Sequence, residues 1–208
     1  MPLDLAELLD PPTTAVVTME LQRGVVGDQA AIPALADAVA ERDVVGRAAA
    51  VVRAARAAGA RVVHCLAEFR PDRAGSSENA PLLRALARGR PNLLVGSESA
   101  QLVPELGPEP TDVLEARLHG LSPFPGTGLD QTLRNLGVRT VVATGVSVNI
   151  GILGLVLVAV DLGYRCAVVT DAVAGVPADY ADAVVAHTLA PLATLLTAEQ
   201  VTGVWASR

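Results

Sequence analysis

Three groups of residues carry side chains or backbone suited to chemistry. In the first, Val17-Thr-Met-Glu-Leu-Gln-Arg-Gly-Val-Val-Gly27, Glu20 directly follows an apolar run. A carboxylate at the end of a buried strand is desolvated, which favours its neutral form and suits a general acid. The competing reading is a buried glutamate paired with an arginine for structure alone. The second group is Glu115-Ala-Arg-Leu-His-Gly-Leu-Ser-Pro-Phe-Pro-Gly-Thr-Gly128, which brings Arg117 and His119 to another strand end. Arg117 can pair with Glu20 or hold a substrate carboxylate in its planar fork. His119 can donate, accept or simply pack. The third group is Ser147-Val-Asn-Ile-Gly151, at a turn where an apolar strand meets an apolar helix. Here Ser147 can cap the helix, Asn149 offers an amide, and the N–H groups around Ile150 and Gly151 can face an anion. A nucleophile often stands in such a first turn, but Gly151 has no side chain; it can admit a substrate close to the backbone or serve packing alone.

These groups have meaning only if one scaffold gathers them. Short β-branched runs alternate with longer helical ones, the pattern of a parallel sheet covered by helices on both faces. Strands are expected at Thr14–Met19, Arg61–Leu66, Val113–Arg117, Arg139–Thr144 and Arg165–Thr170, with a sixth at Ala193–Thr197. Helices are expected at Asp43–Ala58 (stopped by Gly59), Gly128–Leu136, Val148–Leu162, Asp179–Leu192 and in a short terminal segment. Glu68–Pro110 is rich in Pro, Gly, Ser and charge and reads as long loops around one short helix, Pro81–Arg88. In such a sheet, functional groups collect at the carboxyl ends of the strands, where all three groups fall.

Composition narrows the function. At 208 residues the chain suits one α/β domain, 1–208. Only 2% of it is aromatic, so Val, Leu and Ala must build the core. A net charge of −6 argues against nucleic-acid and anionic-membrane partners. No lysine occurs anywhere, which excludes Schiff-base and P-loop chemistry. Cys65 and Cys166 sit within expected strands at a spacing that fits no metal or redox motif, and read as buried free thiols. The uncharged run Thr140–Val160 reaches the about 20 residues that span a bilayer. Gly145, Ser147, Asn149 and Gly151 interrupt it, so a strand–turn–helix is the better reading. The N-terminus lacks the basic region of a signal peptide, and a cytoplasmic location is expected.

Taken in order, Ala15–Gly24, Val63–Asp72, Ser122–Asp130, Thr144–Gly151 and Val169–Gly175 resemble the isochorismatase-like hydrolase superfamily over nearly the whole chain. The resemblance implies a three-layer α/β/α fold with a six-stranded parallel sheet in the order 3-2-1-4-5-6. It also implies a cis peptide at Val146–Ser147 and assembly into a homodimer or homotetramer. Most members use an Asp, a Lys and a Cys, and all three differ here. The Asp aligns with Glu20 and the Cys with Gly151. Strict spacing back from Ser122 puts Leu118 at the Lys position; a shift of one residue puts Arg117 there, and His119 stands close by. Members that cleave the vinyl ether of isochorismate or its amino analogue also have Gly at the Cys position, although they keep the Asp and the Lys.

The expectation is therefore a cofactor-free, metal-free hydrolase of a small carboxylate-bearing metabolite, independent of cysteine. Glu20 is its acid, Arg117 the electrostatic partner or substrate clamp, and Gly151 part of the anion-facing turn. Gln22, His119, Phe124, Ser147 and Asn149 are expected to bind substrate. The alternative is a non-catalytic member that binds a ligand or a partner protein. Glu20, Arg117 and His119 within hydrogen-bond reach favour the enzyme, and a pocket filled by Leu118 or Leu121 favours the binder.

Overall fold

Side chains alternate across a strand, and this alternation divides the core in two. Along the first strand Ala15, Val17 and Met19 join one buried cluster while Val16 joins the other. The fourth strand does the same, with Val141 and Ala143 on one face and Val142 on the opposite one. Strands apolar on both faces must be covered on both, and they are parallel. The computed structural model describes residues 4–88 and 93–207. Its strands are β1 Thr14–Met19, β2 Arg61–Ala67, β3 Val113–Arg117, β4 Thr140–Val146, β5 Arg165–Ala174 and β6 Thr194–Leu196. All pair in parallel, in the order β3-β2-β1-β4-β5-β6.

The helices are α1 Leu5–Leu8, α2 Pro33–Glu41, α3 Val44–Ala58, α4 Pro81–Arg88, α5 Leu129–Asn135, α6 Leu153–Asp161, α7 Ala178–Ala183 and α8 Ala198–Ala206. Helix α3 ends at Gly59, whose φ of +83° lets its N–H close on the last turn. Helices α2, α3 and α8 contribute to one core layer, while α5 and α6 contribute to the other.

Several expected boundaries move. Helix α2 was not foreseen; Pro33 opens it after the extended Ile32, a common start signal. The expected helix Val148–Leu162 opens as a π-type turn, Val148–Ile152, before α6, and Asp179–Leu192 becomes α7 followed by a second π-type turn, Val184–Leu189. Wide turns of this kind are frequent at functional sites. Strand β5 runs on to Ala174, because its pairing with β4 slips between Ala143 and Gly145 and resumes beyond the slip. Gly145 sits at that slip with φ of +108°, and a Cβ there would collide with the Met19 carbonyl. Only glycine lets β4 approach β1 this closely.

A charged network is sealed beneath α3. His64 Nδ1 lies 2.7 Å from the Thr18 hydroxyl, and its Nε2 lies 3.3 Å from Asp112. Asp112 accepts from Arg56 Nε at 3.1 Å, from Arg56 Nη2 at 2.6 Å and from the Glu109 N–H at 2.8 Å. Burial holds His64 below its ordinary pKa against the opposing pull of Asp112. Burial alone would push Asp112 up, but the bonds from Arg56 and Glu109 outweigh it and hold the carboxyl below the usual range. Among the described residues, no helix is long and apolar enough to cross a membrane.

Candidate active site

Strand β1 delivers Glu20 to the carboxyl edge of the sheet and then turns sharply. Glu20 itself has φ of +52°, in the left-handed region that non-glycine residues seldom occupy. That backbone costs about 1–3 kcal/mol and persists only where its surroundings fix it. Here the Glu20 N–H donates to the Cys65 carbonyl at 2.9 Å. Strand β3 delivers Arg117 to the same edge: Cys65 pairs with Met19 on one side and with Glu115 on the other, so Arg117 lies beside Ala67.

The two side chains meet. Arg117 Nη2 donates to Glu20 Oε1, and Arg117 Nε donates to the Gly120 carbonyl at 3.1 Å. Only 7% of the arginine side chain and 18% of the glutamate side chain is exposed. Oε2 of Glu20 has no hydrogen-bond partner among the described residues, and neither does the buried Nη1 of Arg117. The pair stands in the wall of a cavity of about 340 Å³, within the range of small-molecule sites. Ser147, Asn149 and Gly151 line it as well, so the strand ends of β1, β3 and β4 do converge.

The turn after β4 is built differently from the expectation. The Val146–Ser147 peptide is cis. Ser147 does not cap the helix; its hydroxyl donates to Asn149 Oδ1 at 2.5 Å. The Ser147 carbonyl accepts from the N–H groups of Ile150 at 3.1 Å and Ile152 at 3.0 Å, so the Ile150 N–H already has a partner. Asn149 Nδ2 reaches the Val176 carbonyl only at 3.4 Å. A Cβ added to Gly151 would lie 2.9 Å from the Val146 carbonyl oxygen and 3.1 Å from Met19 Cε. The space a nucleophile's stem would occupy is therefore already taken by Met19 and the backbone.

Three of the expected binding residues lie elsewhere. Gln22 is fully buried and clasps the end of β2: its Nε2 donates to the carbonyls of Ala67 at 3.0 Å and Ala100 at 2.8 Å, and its Oε1 accepts from the Ala67 N–H at 2.9 Å. It does not line the cavity. Phe124 packs inward, its ring 6.1 Å from that of Tyr164. His119 Nδ1 accepts from the Ser77 N–H at 3.2 Å and borders a separate recess of about 30 Å³. Leu118 is half-exposed and off the cavity wall, whereas Leu121 is on it.

The larger omission from the sequence reading is hydrocarbon. Ile32 and Leu35, at the start of α2, and Leu82, Leu83 and Leu86 of α4 form the outer wall. Their spacing on α4 puts them on one face, a signal present in the short expected helix. Burial pushes both Cys65 and Cys166 up to about 12, and neither sulfur is on the cavity wall. Among the described residues, no cluster of three or more His, Cys, Asp or Glu side chains could hold a metal ion.

The model of the isochorismatase domain matches residues 14–200 of this sequence. The chain belongs to the isochorismatase family. Among solved structures it is similar to an isochorismatase family protein from Burkholderia thailandensis, with 28% identity, a TM-score of 0.77, and 94% of this chain and 96% of that one covered. A cysteine hydrolase from Pseudomonas syringae pv. phaseolicola 1448A shares the fold at a TM-score of 0.80 and 21% identity, covering 100% of this chain and 96% of the other. N-carbamoylsarcosine amidase from Thermoplasma acidophilum shares it at a TM-score of 0.71 and 24% identity, with 90% and 97% covered. Compared by sequence with curated proteins, the chain has no match. Within this family the cavity beside Glu20 occupies the carboxyl edge of the sheet, the position expected for ligands in an open α/β sheet.

Proposed function

We propose that this isochorismatase-family protein is a cysteine-independent hydrolase in which Glu20 is the general acid. The observation that carries the reading is the Glu20–Arg117 pair at the cavity wall, with Oε1 held and Oε2 without a partner among the described residues. The held oxygen orients the carboxyl; the other is the one that can take up a proton and pass it to substrate. The reaction class that fits is cleavage of a vinyl ether. Protonated Glu20 gives its proton to the terminal alkene carbon, and the ether carbon becomes an oxocarbenium ion. Water adds to that carbon and returns a proton to the Glu20 carboxylate. The hemiketal then collapses to a ketone and an alcohol, so the sum is vinyl ether plus water. No step requires a nucleophilic side chain, which agrees with Gly151 and with the two buried thiols. Arg117 is a positioning residue here: it touches Glu20 and stabilises the carboxylate left after proton transfer.

The test is Glu20→Gln, assayed on simple alkyl vinyl ethers beside small amides. Turnover of vinyl ethers is expected to fall by about 10²–10⁴-fold while thermal unfolding stays cooperative. A fully active Glu20→Gln protein overturns the assignment. The non-catalytic alternative draws support from the apolar outer wall alone, and predicts no turnover of either substrate class by the wild type.

A further inference from the structure

We propose that the cavity beside Glu20 takes an uncharged, largely apolar molecule with a single hydrogen-bonding head group, in place of the carboxylate-bearing metabolite expected from the sequence. The inference deepens the hydrolase reading, and rests on it for the placement of the reacting end at Glu20.

Charge is the first ground. Among the described residues, the charged side chains on the cavity wall are Glu20 and Arg117, and each already has the other as its partner. A carboxylate entering beside them meets the Glu20 carboxylate, which already holds Arg117 through Nη2, while Nε is held by the Gly120 carbonyl. Among the described residues it would find no unpaired cation on the wall, so its hydration would be lost against hydrocarbon without a counter-ion in return. A neutral head group suffers neither effect.

The distribution of polar atoms is the second ground. Ile32, Leu35, Leu82, Leu83, Leu86 and Leu121 surround the body of the cavity and offer a ligand only apolar contact. Hydrogen-bonding capacity sits at one end, with Glu20, Arg117, Ser147 and Asn149. Asn149 Nδ2 has one long bond and a second hydrogen to give. An ether, carbonyl or amide oxygen is the group that accepts from a neutral donor of this kind.

The experiment uses two molecules with the same apolar body, 4-phenylbutanamide and 4-phenylbutanoate, titrated calorimetrically into the intact protein. The amide is expected to bind at least tenfold more tightly. In Glu20→Gln the carboxylate should gain tenfold or more, because Arg117 loses its counter-ion. Leu82→Asp should weaken the amide at least tenfold with the melting temperature unchanged, since α4 buries none of its residues. Equal or tighter binding of the carboxylate by the wild type overturns the proposal, as does an amide that shows no saturable binding or a carboxylate indifferent to Glu20→Gln. Neither molecule is a vinyl ether, so these titrations report on the occupant even if no hydrolysis occurs. Conversely, turnover of carboxylate-bearing vinyl ethers without an amide preference removes this proposal and leaves Glu20 as the acid.

Discussion

Arg56 and Arg117 each hold a carboxylate inside the molecule: Arg56, on α3, holds Asp112 just before β3, and Arg117, at the end of β3, holds Glu20 just after β1. Arg56 grips Asp112 through two nitrogens, the aspartate also takes a backbone N–H, and His64 closes the network on Thr18. The His64 and Asp112 side chains are 0% and 2% exposed. Arg117 grips Glu20 through a single nitrogen, and among the described residues the other Glu20 oxygen and the sealed Nη1 have no partner. The same two chemical groups thus form a closed structural joint in one place and an incomplete one in the other. Buried polar groups are nearly always satisfied in folded proteins, and the incomplete joint is the one the proposed function places beside a ligand.

The sharpest way to break this comparison is to cross the two sites. Asp112→Ala leaves Arg56 and His64 without their partner, and should lower stability by about 3–5 kcal/mol in urea unfolding, with turnover per folded molecule unchanged. Glu20→Gln should remove turnover, and because the amide oxygen can still accept from Arg117 Nη2, the urea midpoint should fall by less than in Asp112→Ala. If both variants mainly unfold the protein, the distinction between joint and site fails. A smaller effect is expected at the empty corner. Gly151→Cys should cost about 1–3 kcal/mol through overpacking against Met19 and the Val146 carbonyl. It should give no amide hydrolysis sensitive to iodoacetamide; appearance of such activity would mean that the corner still accepts a nucleophile.

The sealed network should also sense acid. His64 has a folded-state pKa below its unfolded one, mainly through burial, and Asp112 shifts in the same direction. The stability that depends on neutral His64 is complete above the unfolded value of about 6.5, and is lost as pH falls through the lowered folded value. Unfolding midpoints measured from pH 7 to pH 4 should therefore decline, and His64→Gln should flatten the upper part of that decline. The smallest effect belongs to the thiols. Cys65→Ser and Cys166→Ser should leave turnover per folded molecule within twofold of wild type, since neither sulfur is ionised or on the cavity wall.

The sheet was legible in the sequence because its strands are short, β-branched and separated by glycine-ended helices, and its strand order followed from the family resemblance. Glu20 and Arg117 stood out because a charge directly after, or at the end of, an apolar run has to be handled by the fold. Gln22 was expected among the binding residues because it stands two places after Glu20. The left-handed backbone at Glu20 turns the chain, and Gln22 goes inward to clasp β2. Phe124 stands in a loop shaped by Pro and Gly, and its placement depends on Tyr164, forty positions away in sequence and invisible to local pattern. The cavity's hydrocarbon wall was missed for another reason. Leu82, Leu83 and Leu86 form an amphipathic face, but nothing local says whether such a face meets the core or a ligand.

Helix α4 has no buried residue, though its leucines turn toward the cavity. Most helices here rest on a protein core; this one rests on the space a ligand would fill. Substitutions along that face should retune which molecules fit while leaving the sheet, the Glu20–Arg117 pair and the global stability almost untouched. Under the proposed function, chemistry and selectivity would sit on separately mutable parts of the chain, and a lineage could exchange one substrate for another without risking the fold.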